Sequence, residues 1–191
     1  MKSRLLLSFV LIFVFKSIHA QSSPMVVASI KPIHSIVQSL MEGIASPELL
    51  LKSNNSAHTF HLKPSQIKII ENADLVVSIS DEFEIGLSKV LKNLDPSKRL
   101  EISRMSSLKT HKYRADKLYE KDPQDINQED LRNDMHLWLD IDNMKKISQH
   151  INSLLTDIDP DNENKYNENL SSLTSKLDML QIEIESQILP F

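Results

Sequence analysis

The chain has 191 residues, a formal net charge of −4, 40% hydrophobic residues, no cysteine and two glycines. The lack of cysteine excludes disulfides, thiolate metal sites, thiol nucleophiles and a lipid-bearing cysteine, so a metal site must be built from nitrogen and oxygen. Gly43 and Gly86 cannot write a dinucleotide or Walker loop, and Lys and Arg scattered among acids give no basic stripe for nucleic acid.

Lys2 and Arg4 precede a continuous apolar run, Leu5 to Phe15, that ends near the small residue Ala20. A run of about 11 residues falls short of the ~20 needed to cross a bilayer and has the pattern of a secretory signal peptide. Cleavage after Ile18-His19-Ala20 is expected, with an uncleaved signal anchor as the alternative, so residues 1–20 are a leader and the mature chain is periplasmic. Loss of Lys2, Arg4 and Lys16 takes the formal charge from −4 to −7.

About 170 mature residues suffice for one domain with a sizeable core. Strand and helix patterns alternate. Met25 to Ile30 reads as a strand, and Pro32 to Met41 as a helix with Ile33, Ile36, Val37 and Leu40 on one face. Leu49 to Leu51 is a short strand, Pro64 opens a helix through Asn72, and Leu75 to Ile79 is a buried strand. Phe83 to Leu94 reads as helix and Arg99 to Ile102 as strand. Continuous apolar runs separated by helices predict an α/β fold with a parallel sheet.

Residues 106–133 are rich in Lys, Asp, Asn and Gln and read as an exposed, mobile loop, with His111 solvated in it. Asp142 to Leu155 places Met144, Ile147, Ile151 and Leu154 on one helical face. Asp159 reads as the N-cap of a last, long helix, with Pro160 at its first position. Its apolar stripe is Tyr166, Leu170, Leu173, Leu177, Leu180, Ile184 and Ile188, and Pro190 ends it. The expected division is a leader at 1–20, an N-terminal metal-binding lobe at 21–158 that includes loop 106–133, and a long helix at 159–191.

Two histidine-bearing segments carry the chemistry: Asn55-Ser56-Ala57-His58-Thr59-Phe60-His61-Leu62-Lys63-Pro64-Ser65-Gln66 and Asp134-Met135-His136-Leu137-Trp138-Leu139. Neutral imidazole offers a metal one lone pair near neutral pH and needs only an acceptor behind it to fix its tautomer. On residue type alone, His58 and His136 read more often as ordinary loop or partly buried histidines.

These segments, with Val27-Ala28-Ser29-Ile30-Lys31-Pro32-Ile33-His34-Ser35 and Asn72-Ala73-Asp74-Leu75-Val76-Val77, resemble the zinc-specific, ZnuA-type periplasmic solute-binding proteins of ABC transporters. The resemblance spans essentially the whole mature chain. It implies two (β/α) lobes joined by one long rigid helix, with zinc held in the cleft between them. This chain matches the first lobe and the helix, and so looks like a truncated or split member in which a second lobe, bearing another histidine and often a carboxylate, is missing or separately encoded.

Carried over by the resemblance, His58 and His136 are metal ligands. His61, at i+3 from His58, is placed on the rim, where the family commonly has a non-ligand. His34 is expected to be structural or to support a ligand from behind, His150 to be solvated and Trp138 to be a core anchor beside the site. Ala57 stands where the family often has an acidic residue, Ile141 where it often has proline, and the loop bears one histidine where zinc-specific members have many.

The implied function is capture of zinc in the periplasm and delivery to an inner-membrane ABC permease, with no bond-making chemistry. Zinc takes four ligands, or three plus water, so two histidines leave the site incomplete and predict weaker, less selective binding than in a two-lobed relative. A metallohydrolase would need a further ligand and a general base, and no H-E-x-x-H occurs. The alternative is a non-functional remnant or a structural exported module.

Overall fold

The computed structural model describes residues 23–52, 60–112 and 133–188. The expected leader, His58 and most of the expected loop lie outside them. Val26, Val27 and Ala28 are fully buried and form β1 (Val26–Ala28), which has parallel partners on both sides. These are β2 (Glu48–Leu49) and β3 (Leu75–Ser78), and β3 pairs in parallel with β4 (Arg99–Glu101). The order is β2-β1-β3-β4, with Val27 opposite both Glu48 and Val76, and Val77 opposite Leu100. The α/β lobe and parallel sheet expected from the sequence are therefore present.

Strands on either side of β1 are reached in opposite directions along the sheet, so the strand order reverses between β1 and β3. In open parallel sheets the crevice beyond the strand carboxyl ends at such a point is where ligands bind. Ser29 follows β1 there, and Ile79 and Ser80 follow β3.

In α1 (Lys31–Leu40) the expected Ile33, Ile36, Val37 and Leu40 are all buried. Gly43 closes the turn after it at φ +80°, a conformation in which a side chain is strained. α2 (Pro64–Asn72) starts where Gln66 turns back, its Oε1 accepting from the Lys63 N–H at 3.0 Å and its Nε2 donating to Leu50 O at 2.8 Å. α3 (Ile85–Asn93) buries Leu87 and Leu91 and begins two residues later than its apolar pattern suggests. The preceding residues are used for a corner described below.

α4 (Ile141–Ile158) is capped by Asp140, whose carboxylate accepts from the Asn143 N–H at 3.0 Å. It buries Ile147, Ile151 and Leu155, while Met144 and Leu154 pack against the core only partly buried. α1, α4 and α5 (Glu163–Ile188) pack on one another. Lys145 on α4 ties the last two together, with its Nζ at 2.5 Å from Asp178 Oδ1 and 3.2 Å from Gln181 Oε1.

One expectation about the last helix needs correction. Asp159 does not cap the backbone: a 3-10 turn, Pro160–Asn162, intervenes, and its buried carboxylate accepts from Asn162 Nδ2 and from the buried Tyr166 hydroxyl at 3.0 Å. A donor already committed to the aspartate from one turn into the helix outcompetes the local cap. The apolar stripe is covered over only part of its length. Tyr166 and Leu177 are buried and Leu170 and Leu173 partly so, but Leu180, Ile184 and Ile188 are exposed, as are Met179 and Ile182 off the stripe. Among the described residues no helix is long and apolar enough to cross a membrane.

Candidate metal centre

His136 precedes a 3-10 turn, Leu137–Leu139, closed by the Leu139 N–H donating to His136 O at 3.0 Å. The turn is held by its burial of Leu137 and by Asn143 at the start of α4. Asn143 Nδ2 donates to Leu137 O at 3.3 Å and to Lys109 O at 2.8 Å, and its Oδ1 accepts from the Lys109 N–H at 2.8 Å. Residues 106–112, at the start of the expected loop, are mostly exposed yet tied to α4 in this way. Lys112 bridges Asn133, and the Asp134 N–H donates to His111 O at 2.7 Å, which draws both sides of the loop together next to His136.

Asp134 Oδ1 lies 2.6 Å from His136 Nδ1 and also accepts the His136 backbone N–H at 2.9 Å. That backbone N–H, above all, holds the Asp134 carboxyl below the usual carboxylate range, with further help from the His136 ring and from His111. An ionised carboxylate can only accept, so Nδ1 carries the proton and Nε2 presents the lone pair. This is the carboxylate–histidine arrangement that orients imidazole toward a metal.

The ring is also flanked by two aromatic rings. Phe83 stands edge-on to His136 and to Trp138, each at 5.5 Å between centroids, and His136 and Trp138 are 5.1 Å apart. Trp138 is partly buried against the core, and its indole offers no metal lone pair.

Beside Phe83, Glu84 is fully buried where β1 and β3 end. Its Oε2 accepts the Ile79 N–H at 2.7 Å and the Ser80 N–H at 3.1 Å. Burial pushes its carboxyl up to about 7, against the opposing pull of the Ser29 hydroxyl and the two backbone donors, and with a smaller push from Glu101. The hydroxyl lies beside the carboxyl without a well-formed bond: Ser29 Oγ and Glu84 Oε1 are both buried and unsatisfied among the described residues.

Of the predicted ligands, His136 has its Nδ1 held by Asp134, and His58 lies outside the described residues. Among the described residues no three His, Asp or Glu side chains gather into a metal-holding group, so His61, which is exposed, does not join His136 and Asp134 in one. The residue before it, Phe60, is buried, with its carbonyl against α3: a Cβ on Gly86 would lie 2.2 Å from Phe60 O. His34 Nε2 donates to Pro47 O at 3.0 Å and is structural, and His150 is exposed on α4. The sequence analysis assigns Asp134 no role, although an acid two residues before a histidine is a usable signal. It missed Phe83 and Glu84, which carry none.

A model of periplasmic zinc-uptake complex component A matches residues 26–190. The chain belongs to this family. Zinc-uptake components of this kind are metal-binding transport proteins and not enzymes.

Over 175 residues the chain is 29% identical to an uncharacterised protein of Rickettsia prowazekii, covering 92% of this chain and 52% of that one. It is 27% identical to the high-affinity zinc uptake system protein ZnuA of Brucella abortus, covering 86% of this chain and 58% of that one. The chain therefore spans about half the length of these relatives. Its fold is similar to that of a metal-dependent lipoprotein from Bacillus subtilis, with a TM-score of 0.67 at 21% identity over 85% of this chain and 55% of that one. It is also similar to the Zn(II)-bound ZnuA-like domain of Streptococcus pneumoniae AdcA, with a TM-score of 0.62 at 21% identity over 83% and 53%.

Proposed function

We propose that this chain captures zinc in the periplasm through His58 and His136 for delivery to an inner-membrane ABC permease. The observation that carries the reading is the Asp134–His136 pair, which commits Nδ1 to a carboxylate and leaves Nε2 as a ligand. Zinc is the cargo, so binding must be reversible and no covalent step is involved. Family membership and the zinc-uptake role of the Brucella relative support zinc, and the apolar leader pattern at residues 1–20 supports export.

Two imidazoles do not complete a zinc site. A second lobe, such as the length that relatives carry beyond the matched part, would complete it by supplying the remaining ligands and seating against the exposed end of α5. In its absence the chain binds zinc more weakly and less selectively than a two-lobed relative.

Zinc titration of the whole chain by competition with a chromophoric chelator tests this. His136→Ala is expected to abolish the measured binding. Asp134→Asn is expected to weaken it by about 10–100-fold, because an amide can present a donor to Nδ1 and reverse the tautomer. If both variants bind zinc as the parent does, the assignment fails. A parent that binds none is instead a structural exported module.

A further inference from the structure

The segment between β3 and α3 folds back on the end of its own strand. The Glu84 N–H donates to Ser80 O at 3.0 Å and the Phe83 N–H to Ser80 Oγ at 3.0 Å, while the Glu84 carboxyl returns to accept from Ile79 and Ser80. A buried backbone N–H left without a partner is costly, so one side chain satisfies two donors that the strand end would otherwise leave orphaned. The corner faces the candidate site in two directions. The Phe83 ring stands perpendicular to that of His136, and Gly86, two residues past Glu84, admits the Phe60 carbonyl, which stands two residues after His58 in the chain.

We propose that Glu84 is the positioning residue of this site: by locking the Ser80–Gly86 corner it fixes Phe83 against the His136 ring and seats Phe60 against α3. The proposal rests on the reading of His136 as a ligand but makes a claim about geometry that holds without metal. Asp134 sets which nitrogen of His136 faces outward, whereas the corner sets where the ring stands. An imidazole tethered only through Nδ1 can swing about that bond, and the Phe83 and Trp138 rings remove this freedom. Ser29 Oγ and Glu84 Oε1 lie side by side and are both unsatisfied, so a small rotation that lets the Ser29 hydroxyl donate to Oε1, or a protonated Oε1 donate to Ser29 Oγ, would anchor the carboxyl to the end of β1 as well. A glutamine retains this geometry, because its oxygen accepts from both N–H groups and its amide nitrogen can donate to Ser29.

The ring C–H resonances of His136 in the metal-free whole chain provide the test, because Phe83 and Trp138 shield or deshield them according to their positions. Glu84→Ala is expected to shift these signals toward those of a free histidine and to weaken zinc binding about tenfold or more, the scale seen when support behind a ligand is lost. Glu84→Gln is expected to restore both. Should Glu84→Ala not fold, Ser80→Ala removes only the hydroxyl that accepts from Phe83 and is expected to move the His136 signals the same way by a smaller amount.

Unchanged His136 signals in folded Glu84→Ala, or in Ser80→Ala where Glu84→Ala does not fold, overturn the proposal. So does a Glu84→Gln protein that folds yet behaves like Glu84→Ala. A parent chain that fails to bind zinc while its His136 signals respond as described refutes the metal reading alone.

Discussion

Histidine becomes a good zinc ligand when something else decides its tautomer and orientation, and here those two tasks fall to different residues. Asp134 was within reach of the sequence, two positions before His136, but its role emerges only where the structure shows it held ionised by the backbone N–H it accepts. Glu84 is not legible, because its role depends on a chain reversal that brings it back to β3, and a lone glutamate before an apolar helix reads as a solvated residue. Its burial has a measurable consequence. The folded carboxyl keeps its proton up to about 7, against 4.5 for the unperturbed group. Between those values the folded state holds more protons than the unfolded one, so stability from this group is full below about 4.5, falls as pH rises toward 7, and is level above. The amplitude is about 3 kcal/mol as an order of magnitude. Glu84→Gln should remove that slope and be more stable than the parent at pH 8 but not at pH 4.5, as read by urea denaturation across this range.

Among the elements, the strands were legible because β1 and β3 are covered on both faces and so read as unbroken apolar runs. The helices were legible through their buried faces, as in α1. What periodicity could not locate was where long-range contacts override local signals: the start of α3, displaced by the corner, and Asp159, diverted to Tyr166. The corner also explains one of the two glycines. With Phe60 O where a Cβ would stand 2.2 Å away, Gly86→Ala must separate α3 from the segment after residue 59 or distort the first turn of α3. The expected loss is about 1–3 kcal/mol, the scale of overpacking in a well-filled site. Chemical denaturation measures it, and a variant as stable as the parent would show that this contact yields without cost.

At the scale of the molecule, the chain is a lobe whose core closes around its sheet while the last turns of α5 run past it. Beyond Leu177 the helix exposes Leu180, Ile184 and Ile188 along its stripe and Met179 and Ile182 off it, with Ile182 at 67% exposure. A helix apolar on more than one side is one that is normally surrounded, and contiguous exposed apolar patches mark association sites. Relatives about twice as long offer a reason for this end of the helix to be apolar: the length they carry beyond the matched part can surround it. In the chain alone those side chains meet water or one another, so the protein should self-associate as its concentration rises. Replacing Ile182 and Ile184 with lysine should abolish that association in sedimentation equilibrium while changing the unfolding free energy of the lobe by only about 0.5 kcal/mol, because neither side chain belongs to its core. A parent that stays monomeric at high concentration would show that the exposed stripe is too small or too dispersed to associate by itself. A double variant that unfolds would show that the end of α5 supports the lobe through contacts its exposure does not reveal.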